Sequence, residues 1–375
     1  MQFRDLKKQY EVLKTDIDSE IQKVLVQGNF ISGKQVADLE EQLATYVGVK
    51  HCITCANGTD ALTLALMAWG IGEGDAVFVP DFTFFSSGEC PAYEGATPIF
   101  VDVCEDTFNM SAECLEEAIL KVKEEGKLTP KVIITVDLFG LPVDYDKIRP
   151  IAEKYNLKIL EDGAQGFGGE LHGKKACSFG DIATTSFFPA KPLGCYGDGG
   201  AIFTDDDEVA ALLKSLRVHG KGEDKYDNVR LGMNSRLDTI QAGILKVKLE
   251  AFEKYELSAV NKVADRYTEL LENIVKCPKV PEGFLSSWAQ YSILLKDKAQ
   301  RDSLQSSLKE KGIPSMIYYR KPMHTQGAFE KIKCTYTDLT VTNDLCDRVL
   351  SLPMHPYLTS DEQDEIVMAV KEYLE

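Results

Sequence analysis

Val132-Ile133-Ile134-Thr135-Val136-Asp137-Leu138-Phe139 is a β-branched and apolar run, and a short Gly140-Leu141-Pro142 break follows it. Next come Asp144-Tyr145-Asp146-Lys147-Ile148-Arg149-Pro150-Ile151-Ala152-Glu153-Lys154-Tyr155 and then Lys158-Ile159-Leu160-Glu161-Asp162. The middle segment has apolar residues at helical spacing behind Asp144, a suitable N-cap, so the three predict strand, crossover helix and strand. The alternation extends outward from about residue 50 to 205. Val77–Pro80, Pro98–Val103, Ala183–Phe188 and Ala201–Thr204 read as further strands, with Asp60–Trp69 and Ser111–Glu125 as helices and Ser111 as another N-cap. The expected class is α/β, with a mainly parallel sheet flanked by helices.

Beyond this core the pattern changes. Asp238 to Glu272 is long, helical and charged, as expected of a connector between two units. Residues 1–250 are read as a large domain with an N-terminal arm, and 251–375 as a smaller α+β domain. Strand-like pieces at Trp288–Leu295 and Ser315–Tyr319 and helices at Ala299–Glu310 and from Ser360 onward belong to the latter.

The 375 residues are 44% hydrophobic and 27% charged, which suits a large buried core and excludes a disordered chain. A formal charge of -17 opposes nucleic acid as a partner. An anionic ligand must then be captured locally, by backbone amides, helix ends or a few placed cations. Ala61–Gly72, the longest weakly charged apolar stretch, is too short to span a bilayer, for which roughly 20 residues are needed. Ten cysteines without a regular framework and no secretory signal point to a reducing cytoplasm.

Three segments could carry chemistry. In Cys55-Ala56-Asn57-Gly58-Thr59-Asp60-Ala61-Leu62 a strand gives way at once to a helix, whose free amides can cradle a phosphate. The same residues also make an ordinary helix start. Ile159-Leu160-Glu161-Asp162-Gly163-Ala164-Gln165 puts carboxylates at the carboxyl edge of the sheet, where open α/β sheets bind ligands. A carboxylate there can cap a helix, hold a metal or pair with a protonated ring nitrogen. In Ser186-Phe187-Phe188-Pro189-Ala190-Lys191-Pro192-Leu193-Gly194 the lysine lies in an uncharged stretch between two prolines. If desolvated, its amine is a Schiff-base nucleophile; otherwise it is a surface lysine in a turn. Together the segments supply a phosphate cradle, an acid and an amine, the set that pyridoxal phosphate chemistry requires.

With these motifs in place, the chain resembles the sugar aminotransferases of the DegT/DnrJ/EryC1/StrS group, which share the fold-type I aspartate aminotransferase architecture. The likeness runs from Phe3-Arg4-Asp5-Leu6-Lys7 and Gly28-Asn29-Phe30-Ile31-Ser32-Gly33 to Leu231-Gly232-Met233-Asn234-Ser235-Arg236 and Leu352-Pro353-Met354-His355-Pro356. The resemblance implies pyridoxal 5'-phosphate as cofactor, Lys191 as its covalent anchor and Asp162 as partner of its ring nitrogen. It puts Gln165 near the phenolic oxygen and Phe84 on the ring. Gly58, Thr59, Asp60 and Ser186 would hold the phosphate, with Asn234 reaching it from the neighbouring subunit of an obligatory homodimer. The implied substrates are a nucleotide-linked keto-sugar and an amino-acid donor, expected to be glutamate.

Some positions depart from the group. Gly163 stands where alanine is commoner, and Tyr318-Tyr319 where many relatives have histidine followed by tyrosine; both tyrosines are expected on the sugar side. Lys191 argues against the dehydratase branch, which has histidine there. The spelling around Gly58–Leu62 and Ser186–Pro189 resembles members acting at carbon 3 of a UDP- or dTDP-linked sugar, most closely those making a 2,3-diamino uronic acid. Arg236 is the expected grip on a sugar carboxylate, which guanidinium can hold bidentately. Amination at carbon 4 of a 6-deoxy sugar, a non-catalytic regulatory member and a metal-dependent lyase are the alternatives. No metal-ligand spacing supports the last: Cys52-Ile53-Thr54-Cys55 is a lone pair in a strand pattern, and none of the five histidines is assigned to catalysis.

Overall fold

The computed structural model describes residues 1–224 and 226–374. Its strands are β1 (His51–Cys55), β2 (Asp75–Pro80), β3 (Thr97–Val101), β4 (Thr129–Val136), β5 (Lys158–Asp162), β6 (Glu170–Leu171), β7 (Lys174–Lys175), β8 (Ile182–Ser186), β9 (Gly200–Thr204), β10 (Phe284–Leu285), β11 (Tyr291–Leu294) and β12 (Val349–Leu352). Seven form one sheet in the order β1-β9-β8-β5-β4-β2-β3, while β10-β6-β7 and β11-β12 make two small ones. In the large sheet β9 alone is antiparallel to its neighbours. The mainly parallel α/β expectation holds, with the parallel strands ending at Cys55, Pro80, Val136, Asp162 and Ser186 along one edge.

Side chains alternate across each strand, and each face packs into a different cluster. Val77, Val79, Val132, Ile134 and Leu160 pack with Leu62 and Leu66 of helix Gly58–Ala68. On the opposite face Ala76, Phe78, Ile99, Ile133 and Ile159 meet Leu115 and Ile119 of helix Ala112–Glu125 and Ile148 of helix Tyr145–Tyr155. Burying each large aliphatic or aromatic side chain contributes roughly 1.5–3 kcal/mol, so the sheet is a firm base for whatever stands at its edge.

The connector is one helical run, Thr239–Ala251 and Leu257–Leu271, joined through a π-helical turn at Phe252–Glu256. A separate cluster of Val260, Tyr267, Tyr291, Ile293, Leu304, Leu350 and Ile366 lies beyond it. Helices Lys298–Glu310 and Ser360–Leu374 and strands β11 and β12 complete this α+β part. Phe329, Leu345 and Val349 pack instead into the cluster under the large sheet. Among the described residues no helix is long and apolar enough to cross a membrane.

Several strand boundaries differ from the sequence pattern, among them β3, which ends at Val101, and β8, which ends at Ser186. The Val132–Phe139 run leaves the sheet at Val136, because the Leu138 amide donates to Asn109 Oδ1 (3.0 Å) and the Phe139 amide to Gln165 Oε1 (2.9 Å). Ser315–Tyr319 forms only the bridge of Met316 to Ser351. The strand expected from Trp288 starts at Tyr291, since Trp288 itself has φ +51°. Helices Leu6–Gln27 and Lys34–Val47 precede the alternating region and had no counterpart in the pattern.

The two N-caps differ in a measurable way. Ser111 Oγ accepts from the Cys114 amide at 3.2 Å, whereas Asp144 makes no side-chain cap bond and pairs with Lys147 in an exposed salt bridge. Ser111→Ala is expected to cost about 1 kcal/mol and Asp144→Ala about half that or less. Urea unfolding of the two variants checks the order, and equal losses would contradict it.

Candidate active site

The carboxyl edge of the sheet opens into a pocket of about 720 Å³, the size of a cofactor and small-substrate site. It is lined by residues far apart in sequence: Gly58 and Thr59 after β1, Phe84 after β2, Asp162 and Gln165 at and after β5, and Ser186 and Lys191 at and after β8. Tyr318 and Tyr319 close it from the C-terminal part of the chain. Nine of the twelve expected site residues therefore meet in one place.

Asp162 and Glu161 are adjacent acids with different employment, because strand alternation sends them to opposite faces. Glu161 is fully buried and accepts from the Phe179 and Gly180 amides at 2.7 and 2.9 Å, a structural role. Asp162 lines the pocket; its Oδ2 accepts from Ser87 Oγ at 2.9 Å and its Oδ1 from the Ala164 amide at 3.1 Å. Burial raises the Asp162 pKa, and the Ala164 amide, the Lys191 charge and the Ser87 hydroxyl oppose the rise. Lys191 is half-buried, and desolvation lowers its pKa; Asp162 counters the fall and Arg4 adds to it. Lys191 lies in a turn, as one reading of the sequence had it, and lines the pocket as the other required.

Asn57 caps helix Gly58–Ala68, its Oδ1 accepting from the Asp60 amide at 2.8 Å. Asp60 is not among the pocket-lining residues, and its amide is engaged by Asn57. Earlier amides of this first turn have no helical partner, and a helix N-terminus attracts anions. Thr59 Oγ1 lies 2.8 Å from Ser86 Oγ. A Cβ at Gly58 would stand 2.8 Å from Ser186 Cβ, so glycine keeps the turn and the end of β8 close while leaving the cradle open. These residues fit a phosphate-bearing aldehyde cofactor: amides and hydroxyls for the phosphate, a lysine for the aldehyde and a buried carboxylate for a ring cation. Phe84, 54% exposed, offers an aromatic face in the same pocket.

Gln165 is held from both ends, its Oε1 by the Phe139 amide and its Nε2 by the Tyr319 hydroxyl at 3.0 Å. One N–H of that amide group remains for a ligand. Asn234 is exposed and Arg236 half-buried, and neither lines the pocket formed by this chain. Sequence reading missed Ser86 and Ser87, the hydroxyls behind Thr59 and Asp162, although they directly follow Phe84-Phe85. It also gave no role to Arg4 or to Asp81, which is fully buried and contacts His324 Nδ1 at 2.6 Å.

The sequence profile of the DegT/DnrJ/EryC1/StrS aminotransferase family matches residues 11–371. The UDP-2-acetamido-2-deoxy-3-oxo-D-glucuronate aminotransferase of Pseudomonas aeruginosa is 44% identical over 363 residues, 96% of each chain. A DegT DnrJ EryC1 StrS aminotransferase from Brucella abortus superposes with TM-score 0.97 at 50% identity, covering 100% of this chain and 99% of its own. NtdA of Bacillus subtilis, solved with bound cofactor PMP, superposes with TM-score 0.88 at 30% identity, covering 96% and 82%. The chain belongs to the DegT/DnrJ/EryC1/StrS aminotransferase family, a family of pyridoxal-phosphate-dependent enzymes.

Proposed function

We propose that this enzyme transfers an amino group from an amino acid, glutamate by the family expectation, to the carbon-3 ketone of a UDP- or dTDP-linked sugar, a 2-acetamido uronic acid being the leading candidate. The observation that carries this reading is the placement of Lys191 and Asp162 in one pocket beside the free first turn of helix Gly58–Ala68. The Pseudomonas relative, acting on a 3-oxo sugar of that kind, supports the choice of ketone.

When bound, pyridoxal phosphate supplies an aldehyde that condenses with amines and a protonated ring that takes up an electron pair. Gly58, Thr59 and Ser186 would hold its phosphate, Asp162 its ring-nitrogen proton and Phe84 its face, while Gln165 would donate to its phenolic oxygen. The chain's own contribution is proton handling. Lys191 Nζ, brought toward its neutral form by burial, would accept the proton that leaves the donor's α-carbon and, in the second half of the reaction, deliver a proton to carbon 3 of the sugar. Ser87 and the Ala164 amide hold Asp162 in place as an anion. Tyr318 and Tyr319 would contact the sugar.

The unit of activity is proposed to be a homodimer with shared sites. Phe30, Ile31, Phe188, Val229 and Leu231 leave large apolar surfaces exposed in the single chain, Leu231 at 91%. Asn234 and Arg236 follow that segment, and the partner's copies would complete the pocket, Asn234 at the phosphate and Arg236 at a sugar carboxylate. A division into a cofactor-holding unit of residues 1–250 and a smaller unit of 251–375 fits this arrangement. Ten free thiols fit a reducing cytoplasm.

Assaying glutamate-dependent amination over UDP- and dTDP-linked 3-keto and 4-keto sugars tests the substrate. The 3-keto uronic acid is expected to turn over fastest; exclusive use of 4-keto sugars would contradict the reading. Asp162→Asn is expected to lower kcat/KM by at least about 100-fold, and Ser87→Ala by only about 10-fold, the loss of one hydrogen bond to a charge. Steady-state kinetics check the order, and a larger loss for Ser87→Ala would reverse the assigned roles. Mixing inactive Lys191→Ala with inactive Arg236→Ala should restore about one quarter of wild-type activity on the uronic substrate, through mixed dimers with one whole site. No recovery after verified subunit exchange would rule out sharing.

A further inference from the structure

The loop that carries Lys191 is gripped through its main chain by two cations from distant parts of the sequence. Arg4, on the N-terminal arm, donates from Nη2 to the Lys191 carbonyl at 2.8 Å and to the Pro192 carbonyl at 3.3 Å. Lys248, 2% exposed and on helix Thr239–Ala251, donates its ammonium to the Gly194 carbonyl. Neither cation lines the pocket. Glu256, in the π-helical turn and 3% exposed, is the neighbouring anion that favours the charged forms of both. It accepts from Gln9 Nε2 at 2.8 Å and from the Tyr357 hydroxyl at 2.5 Å. One carboxylate thus faces two cations. A buried carbonyl that loses its donor keeps its full desolvation cost, so this cluster fixes the loop more firmly than its two prolines alone.

We propose that Arg4 and Lys248 are positioning residues for Lys191, pinning the Lys191–Gly194 loop by its carbonyl oxygens. This deepens the assignment of Lys191 as the reactive amine and rests on it, whereas the grip itself is a property of the loop. The charged groups that act on the amine are Asp162 from β5 and Arg4 from the arm, and the exposed Asp198 lines the same pocket. Lys248, Glu256, Cys195 and Tyr196 surround the cations on the other side of the loop. Burial is the first cause of the lowered Lys191 pKa; Asp162 opposes it and Arg4 reinforces it. Burial also brings Lys248 to about 8, which leaves it mostly cationic at neutral pH. Removing the Arg4 charge therefore makes the Lys191 amine easier to protonate.

The test uses full-length, cofactor-free protein, so it reads the amine and not turnover. Competitive acetylation across pH, with peptide mass spectrometry, gives the titration midpoint of Lys191 alone. Arg4→Met is expected to raise that midpoint by about one pH unit. Arg4→Lys, which keeps the charge but loses the fork, is expected to leave it within about 0.3 unit while lowering kcat of the loaded enzyme about 10-fold at unchanged KM. Lys248→Met, which removes the grip on the Gly194 carbonyl, provides a second reading should Arg4→Met fold poorly: kcat of the loaded enzyme is expected to fall about 10-fold at unchanged KM. A midpoint unmoved in folded Arg4→Met, or an unchanged kcat in folded Lys248→Met, would overturn the proposal. A cofactor attached to some other lysine would instead overturn the assignment of Lys191, and the two failures are read in separate experiments.

Discussion

An amine and a carboxylate share one desolvated pocket without being joined in an ion pair, and the remaining features of the site depend on that arrangement. Burial alone drives both groups toward their neutral forms, the Lys191 pKa falling and the Asp162 pKa rising. Each partly restores the charge of the other, and Ser87 and the Ala164 amide add to the restoration at Asp162. The result is an amine able to take up a proton beside an acid able to remain an anion. In water the same two side chains would be fully charged and of little use to each other. A rigid sheet edge is needed to hold them so, and the parallel strands, buried on both faces, provide it.

Much of this was legible in the sequence because parallel α/β topology gathers strand ends. Once the runs at Val132, Lys158 and Ala183 read as strands of one sheet, Asp162 and Lys191 had to emerge at a common edge. The helix start at Gly58 was legible for a similar reason, since glycine and a capping asparagine follow an apolar strand directly. Resemblance to a family added the roles of Phe84 and Gln165, which no spacing rule supplies.

What was hidden depends on contacts between residues far apart in the chain. The strand at Val132 continues in pattern to Phe139, but Asn109 and Gln165 capture the amides that would extend it. Ser315–Tyr319 has strand composition yet bends away after Met316, which brings Tyr318 and Tyr319 to the pocket. Asp60 belongs to the motif but does not line the pocket, and its amide goes to Asn57. Arg4 lies in a stretch recognisable by likeness, and only folding reveals that it reaches the Lys191 carbonyl 187 residues away. Asn234 and Arg236 lie outside the lining of a single chain, and the roles proposed for them depend on the proposed dimer.

The chemistry at this edge of the sheet turns on Lys191 being the residue to which the cofactor becomes attached. Borohydride reduction of the pyridoxal-phosphate-loaded protein, followed by peptide mass mapping, reads that attachment. A single modified peptide is expected, with the added mass on Lys191. Modification of a different lysine, or none on protein that has visibly bound the cofactor, would contradict it.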